Sequence, residues 1–277
     1  MRGAQLPACL SSLRQSKPGP PQPKRTSKRA LRTVIKWCAA ALLLCSAFGV
    51  QAGAELKKET FQFAGQKRSY YLFIPETIEA DQPAPVVVML HGSYSDGREL
   101  TSKWIDIATR NELILVGPNA LDWTRWQIRI DTPEFMRDVI DEVAKKHRID
   151  RRRLYVFGHS GGAVYALTLG MLESEYFAGV AVYAGAWRDK SNFQALTAAR
   201  RKIPVLVMIG DKDQYFPMKV VKKTVAAMEE AGHPVTLTVY RGHGHSYEDL
   251  APVINQATWA FLKPIELEVT PHFQSYG

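Results

Sequence analysis

Residues 151–170 read RRRLYVFGHSGGAVYALTLG. The run RLYVFG (153–158) is apolar, too short for a helix and closed by a glycine, which predicts a buried strand. A helix is predicted to start at Gly161. Between the two stands Gly158-His159-Ser160-Gly161-Gly162, a Gly-x-Ser-x-Gly pattern. A serine fenced by glycines is either a capping residue in a tight turn or an exposed nucleophile. A strand that turns at once into a helix favours the second reading, because that setting builds a nucleophile elbow. The turn is sharp enough to strain the serine backbone, and side chains at 158 and 162 would clash. It also sets the hydroxyl at a helix N-terminus, where developing negative charge is favoured. Ser160 is the candidate nucleophile.

Working outward, apolar runs alternate with helical patterns. After a strand pair (TFQFAG and RSYYLFIP) come PVVVMLHG (85–92), LILVGPNA (113–120), GVAVYAG (179–185), PVLVMIG (204–210) and VTLTVY (235–240). Helices are expected near 98–110, from the cap-and-proline signal Asp131-Thr132-Pro133-Glu134 to about His147, and near 217–231 and 248–262. Such alternation predicts an α/β fold, a single domain with a mostly parallel central sheet flanked by helices. In such sheets the active site lies at the carboxyl ends of the strands.

A serine hydroxyl needs a base, and the base needs an orienting carboxylate. In this architecture they follow the serine in the order Asp/Glu, then His. After PVLVMIG comes Gly210-Asp211-Lys212-Asp213-Gln214-Tyr215, and after VTLTVY comes Gly242-His243-Gly244-His245-Ser246. Asp213 and His245 are the favoured pair, with Asp211 and His243 as their rivals. An oxyanion hole needs two N–H donors. Gly161, just after the serine, supplies one. The loop His91-Gly92-Ser93-Tyr94 supplies the other, from Ser93 in first place or Tyr94, with His91 bracing the loop.

The net charge of the chain is +9, which invites a nucleic-acid reading. Residues 1–52 hold nine Lys/Arg and no Asp or Glu, leaving 27 basic against 27 acidic residues from 53 onward. The basicity thus belongs to the leader, and no nucleic-acid partner is expected. In that leader a basic, proline-rich stretch precedes the apolar run Trp37–Val50 and the small-residue spacing Val50-Gln51-Ala52. The run is short of the roughly 20 residues that span a bilayer. Residues 1–52 therefore read as a secretory signal with a long basic region and 53–277 as the catalytic domain. Cys9, Cys38 and Cys45 all fall in the leader. A cysteine nucleophile, a thiolate metal site and a disulfide are thus excluded from 53–277.

LHGSYSDG, DRRRLYVFGHSGGA, GDKD and GHGHSY, in this order, resemble the α/β-hydrolase superfamily. The likeness is greatest to small secreted esterases of the polyhydroxybutyrate-depolymerase and feruloyl-esterase group. It covers roughly residues 60–262 and includes the Asp150-to-Arg153 lead into the elbow strand and the tryptophans of Asp122-Trp123-Thr124-Arg125-Trp126. The chain departs from that group in lacking cysteines after the leader and an acidic Gly-Asp stretch after Trp126. The resemblance implies a secreted serine carboxylesterase with no metal or organic cofactor. Its substrate would be a small or oligomeric ester, and no stable membrane association would follow signal cleavage. A prolyl-oligopeptidase-type peptidase and a non-catalytic binding module are the alternatives. A zinc site on His243-x-His245 lacks a third ligand at short spacing. Only about 20 residues (Ala184–Ile203) separate GVAVYAG from PVLVMIG, so a minimal lid is expected. Tyr94, Trp123, Trp126, Trp187, Tyr215 and Tyr247 are expected around the cleft. Aromatic walls suit short-chain, aryl or hydroxyalkanoate esters.

Overall fold

The computed structural model describes residues 54–79 and 81–274. The expected leader and all three cysteines lie outside the described residues. Eight strands form one sheet: β1 Lys57–Phe63, β2 Gln66–Phe73, β3 Ala84–Leu90, β4 Ile114–Pro118, β5 Ile149–His159, β6 Gly179–Tyr183, β7 Val205–Gly210 and β8 Val235–Tyr240. Their order across the sheet is β1-β2-β4-β3-β5-β6-β7-β8. β1 pairs antiparallel with β2, and β2 with β4; every other pair is parallel. All residues of β3, β4, β6 and β7 are buried. That is why these strands read as continuous apolar runs and not as alternating ones.

The helices are α1 Gly97–Ser102, α2 Ile105–Asn111, α3 Pro133–Ala144, α4 Gly161–Leu172, α5 Lys190–Ala198, α6 Met218–Glu230 and α7 Ala251–Leu262. Two differences from the sequence expectation have local causes. The helix expected over 98–110 is broken at Lys103-Trp104. The break turns Trp104 wholly into the core, where its indole N–H donates to the Tyr247 hydroxyl at 2.8 Å. β5 begins at Ile149, four residues before the apolar run. Its first half is the charged stretch Asp150–Arg153, whose side chains pair with Asp141, Glu266 and one another outside the core. The linker after β6 contains α5, and a 3-10 turn, Glu248–Leu250, precedes α7.

Thr132 is the cap of α3, its hydroxyl accepting from Phe135 N–H, and Pro133 opens the first turn. Asp131, expected to share that capping, does something else. Its carboxylate accepts from the buried Arg68 guanidinium at 2.6 Å and from the N–H groups of Leu121 and Gln127, both at 3.0 Å. The Arg68 guanidinium also lies 3.6 Å over the Phe135 ring and donates to Asn119 O. A buried ion pair needs such added partners to offset desolvation of both charges.

Candidate active site

The elbow joins β5 to α4 at the centre of the sheet. Ser160 has φ 55° and ψ −116°, a strained conformation of the kind found at functional sites. Backbone contact explains its glycines. A Cβ on Gly158 would stand 2.4 Å from Gly162 O, and one on Gly162 would stand 2.0 Å from Leu90 O. Only hydrogen fits at either position.

The three side chains sought from sequence meet here. His245 Nε2 lies 2.9 Å from Ser160 Oγ, and its Nδ1 lies 2.8 Å from Asp213 Oδ2. Asp213 can only accept, so Nδ1 carries the proton and Nε2 is left to accept from the serine hydroxyl. The Asp213 side chain is fully buried, and its other oxygen accepts from Tyr215 and Phe216 N–H at 2.8 and 2.9 Å. The imidazole is flanked by Tyr215 (ring centroids 4.7 Å apart) and Phe216 (5.9 Å, stacked). The rivals are occupied elsewhere. Asp211 accepts from Gly242 N–H at 2.7 Å, and His243 Nε2 donates to Ser246 O at 2.8 Å. Both brace their own loops. Among the described residues no group of three or more His, Cys, Asp or Glu is placed to hold a metal ion.

The loop after β3 lies against the elbow. A Cβ on Gly161 would meet Ser93 Oγ at 2.6 Å and Ser93 N at 3.3 Å. Neither Ser93 N–H nor Gly161 N–H has an acceptor among the described residues, so both donors are free beside the serine. Tyr94, the other expected donor, is engaged elsewhere. Its N–H donates to Trp123 O at 2.9 Å. His91 braces the loop as expected. Its Nδ1–H donates to Gly92 O at 2.7 Å and its Nε2 accepts from Ala120 N–H at 3.2 Å. Burial keeps this imidazole below the usual histidine range and thus neutral.

The aromatic residues expected at the cleft divide. Tyr94 (70% exposed), Trp123 (61%) and Tyr215 (55%) are open to solvent, and Tyr94 meets Trp123 edge to face at 5.5 Å. Trp126 is half-buried, donating to His91 O at 2.8 Å and stacked on Tyr165, so it supports the loop. Trp187 corrects the expectation: it is wholly buried, with its indole N–H donating to Thr168 Oγ1 at 3.1 Å. Its backbone N–H is also bound, by Thr224 Oγ1. Tyr247 is likewise buried, against Trp104, Asn255 and Phe157.

Several site residues carried no signal in the sequence. His159 packs between the rings of Tyr183, Tyr247 and His245, and burial lowers its pKa to about 4. A cleft of about 190 Å3 opens beside His245, bordered by Ser95, Glu99, Lys103, His159 and Glu248. These residues come from α1 and its flanks, the elbow and the 3-10 turn, so no local pattern unites them.

The comparisons agree with this architecture. A family model described as phospholipase/carboxylesterase matches residues 127–253, a span that contains Ser160, Asp213 and His245. A Bradyrhizobium protein described as a probable 2-oxo-3-(5-oxofuran-2-ylidene)propanoate lactonase is 23% identical over 70% of this chain and 87% of its own. Among solved structures, a CE1 ferulic acid esterase from Anaeromyces mucronatus superposes with TM-score 0.63 at 17% identity, covering 77% of this chain and 91% of that one. The poly(3-hydroxybutyrate) depolymerase LpqC from Bordetella parapertussis does so with TM-score 0.61 at 18% identity, covering 75% and 91%. The chain has the α/β-hydrolase fold. Its matches support a hydrolase of the esterase type.

Proposed function

We propose that the chain is a secreted serine carboxylesterase acting through an acyl-enzyme on short-chain, aryl or hydroxyalkanoate esters. The observation that carries this reading is the hydrogen-bonded series Ser160–His245–Asp213 on a strained elbow. Ser160 Oγ attacks the ester carbonyl carbon as His245 Nε2 takes its proton. The N–H groups of Gly161 and Ser93 stabilise the oxyanion. The tetrahedral intermediate collapses, the carbon–oxygen bond to the alcohol breaks, and His245 returns the proton to the departing alkoxide. Water, deprotonated by His245, then attacks the acyl-enzyme; the bond from the acyl carbon to Ser160 Oγ breaks, His245 returns the proton to Ser160 Oγ, and the acid leaves. Asp213 holds the imidazole in the required tautomer throughout. No metal or organic cofactor takes part in these steps.

The substrate reading rests on the exposed aromatic rim of Tyr94, Trp123 and Tyr215 and on the short connection from β6 to β7, which leaves little room for a lid. Turnover of p-nitrophenyl esters from two to sixteen carbons should peak at short acyl chains without a jump on emulsification. Ser160→Ala should lose on the order of 10^4-fold or more together with fluorophosphonate labelling. A maximum at twelve carbons or longer overturns the substrate class, and an active Ser160→Ala overturns the mechanism. Export is proposed from residues 1–52. Among the described residues no helix is long and apolar enough to cross a membrane. N-terminal sequencing of the exported protein should begin at Gly53; a start that retains Trp37 overturns cleavage.

A further inference from the structure

We infer that Arg188 is a specificity-determining residue that selects esters carrying a free carboxylate; the inference rests on the serine-esterase reading above. Arg188 follows the buried Trp187 at the carboxyl end of β6, on the side of the sheet where Ser160 stands. It is exposed. Its guanidinium lies 4.8 Å from the centre of the Phe216 ring, and that ring is stacked on the His245 imidazole at 5.9 Å. The cation is therefore one aromatic ring removed from the base.

Arg188 makes no salt bridge among the described residues, and its one recorded partner is the Phe216 face. A guanidinium lying over a ring holds its planar group in place and leaves its N–H rim open, the edge that grips a carboxylate in a bidentate fork. The nearest acidic group of the machinery cannot occupy it. Asp213 is fully buried and saturated by His245 and by the N–H groups of Tyr215 and Phe216.

Charge on the other flank of His245 points the same way. There the cleft is bordered by Glu99 and Glu248 against a single lysine, Lys103, and the Lys103 ammonium is bound to Glu248 at 2.5 Å. An anionic substrate group is repelled from that flank and attracted to Arg188. A neutral ester has no such preference. The chemical class is an ester or oligoester that ends in a carboxylate, whether on the acid half (a diacid monoester) or on the alcohol half (an acyloxyalkanoate, the end unit of a hydroxyalkanoate oligomer).

The test measures kcat/KM on two matched pairs. One is the mono-p-nitrophenyl ester of adipic acid against p-nitrophenyl hexanoate; the other is 3-(butanoyloxy)butanoate against its methyl ester. The wild-type protein should favour the anionic member of at least one pair, and that pair identifies the half of the substrate that faces Arg188. Arg188→Ala should lower the anionic-to-neutral ratio about fivefold, the size of an exposed ion pair. Arg188→Glu should lower it further, Arg188→Lys should keep part of it, and 0.5 M salt should compress the wild-type ratio. Lys190→Ala, a nearby exposed cation, should leave the ratio unchanged. Hydrolysis with ratios unaltered by all three Arg188 variants overturns the inference and leaves the esterase reading standing. Equal loss in Lys190→Ala overturns it in favour of diffuse surface charge. No hydrolysis of any of the four esters, with Ser160 unlabelled by fluorophosphonate, overturns both.

Discussion

At the elbow, the residues that shape the site are neighbours in sequence. Gly158, Ser160, Gly161 and Gly162 make a turn packed on itself and on the loop after β3, with Ser160 N–H donating to Tyr183 O at 3.1 Å. The loop from 119 to 132 reaches a comparable order by other means. It carries Trp123 and Trp126, yet its shape is held by Arg68 on β2, 63 residues away from Asp131. That carboxylate gathers Arg68, Leu121 N–H and Gln127 N–H at one point, and the Tyr165 hydroxyl binds the Asp131 carbonyl. The elbow is thus a steric device and the loop an electrostatic one. A steric turn tolerates almost no change in side-chain volume, whereas a buried ion pair tolerates almost no change in charge.

The largest effect should come from separating neighbours at the elbow's partner loops. Asp213→Asn and His245→Ala should each lose orders of magnitude in kcat, because each disables one catalytic unit. Asp211→Asn and His243→Ala, two residues away in each case, should stay within about tenfold. Steady-state kinetics on one aryl ester decides it. A larger loss at Asp211 or His243 would exchange the roles and place the local turn, not the long-range hydrogen bond, in charge of the base.

A smaller and different effect should follow from Arg68. Arg68→Met leaves the Asp131 carboxylate buried without its counter-ion and should cost about 3–5 kcal/mol in urea denaturation. It should also raise KM for aryl esters more than it lowers kcat, since the elbow is untouched. The double variant Arg68→Met/Asp131→Asn should recover part of the stability. Trp123→Ala marks the bottom of the scale: the side chain is exposed, so stability should move by no more than about 0.5 kcal/mol, with a modest rise in KM. Equal stability loss in Arg68→Met and Trp123→Ala would mean that the ion pair does not organise the loop.

What the amino-acid sequence by itself determined is local or one-dimensional. The elbow is legible because its pattern fits within five residues and sits between a strand run and a helix. The parallel sheet is legible because buried strands must be apolar throughout. The segregation of charge into residues 1–52 is simple counting. The order Ser, Asp, His narrowed the acid and the base to two candidates each. Only tertiary structure separates them in space: Asp213 meets His245, 32 residues away, while Asp211 is held by Gly242 N–H in its own loop region. The same holds for Ser93 against Tyr94, where the Trp123 carbonyl takes the Tyr94 N–H. Exposure was the least legible property. Trp123 and Trp187 both follow strand ends, yet one is 61% exposed and the other wholly buried. Thr168 on α4 and Thr224 on α6 bind Trp187 from two sides, whereas the exposed Trp123 side chain meets the Tyr94 ring edge to face. Burial is set by what packs against a residue from distant segments, and no spacing in the chain encodes it.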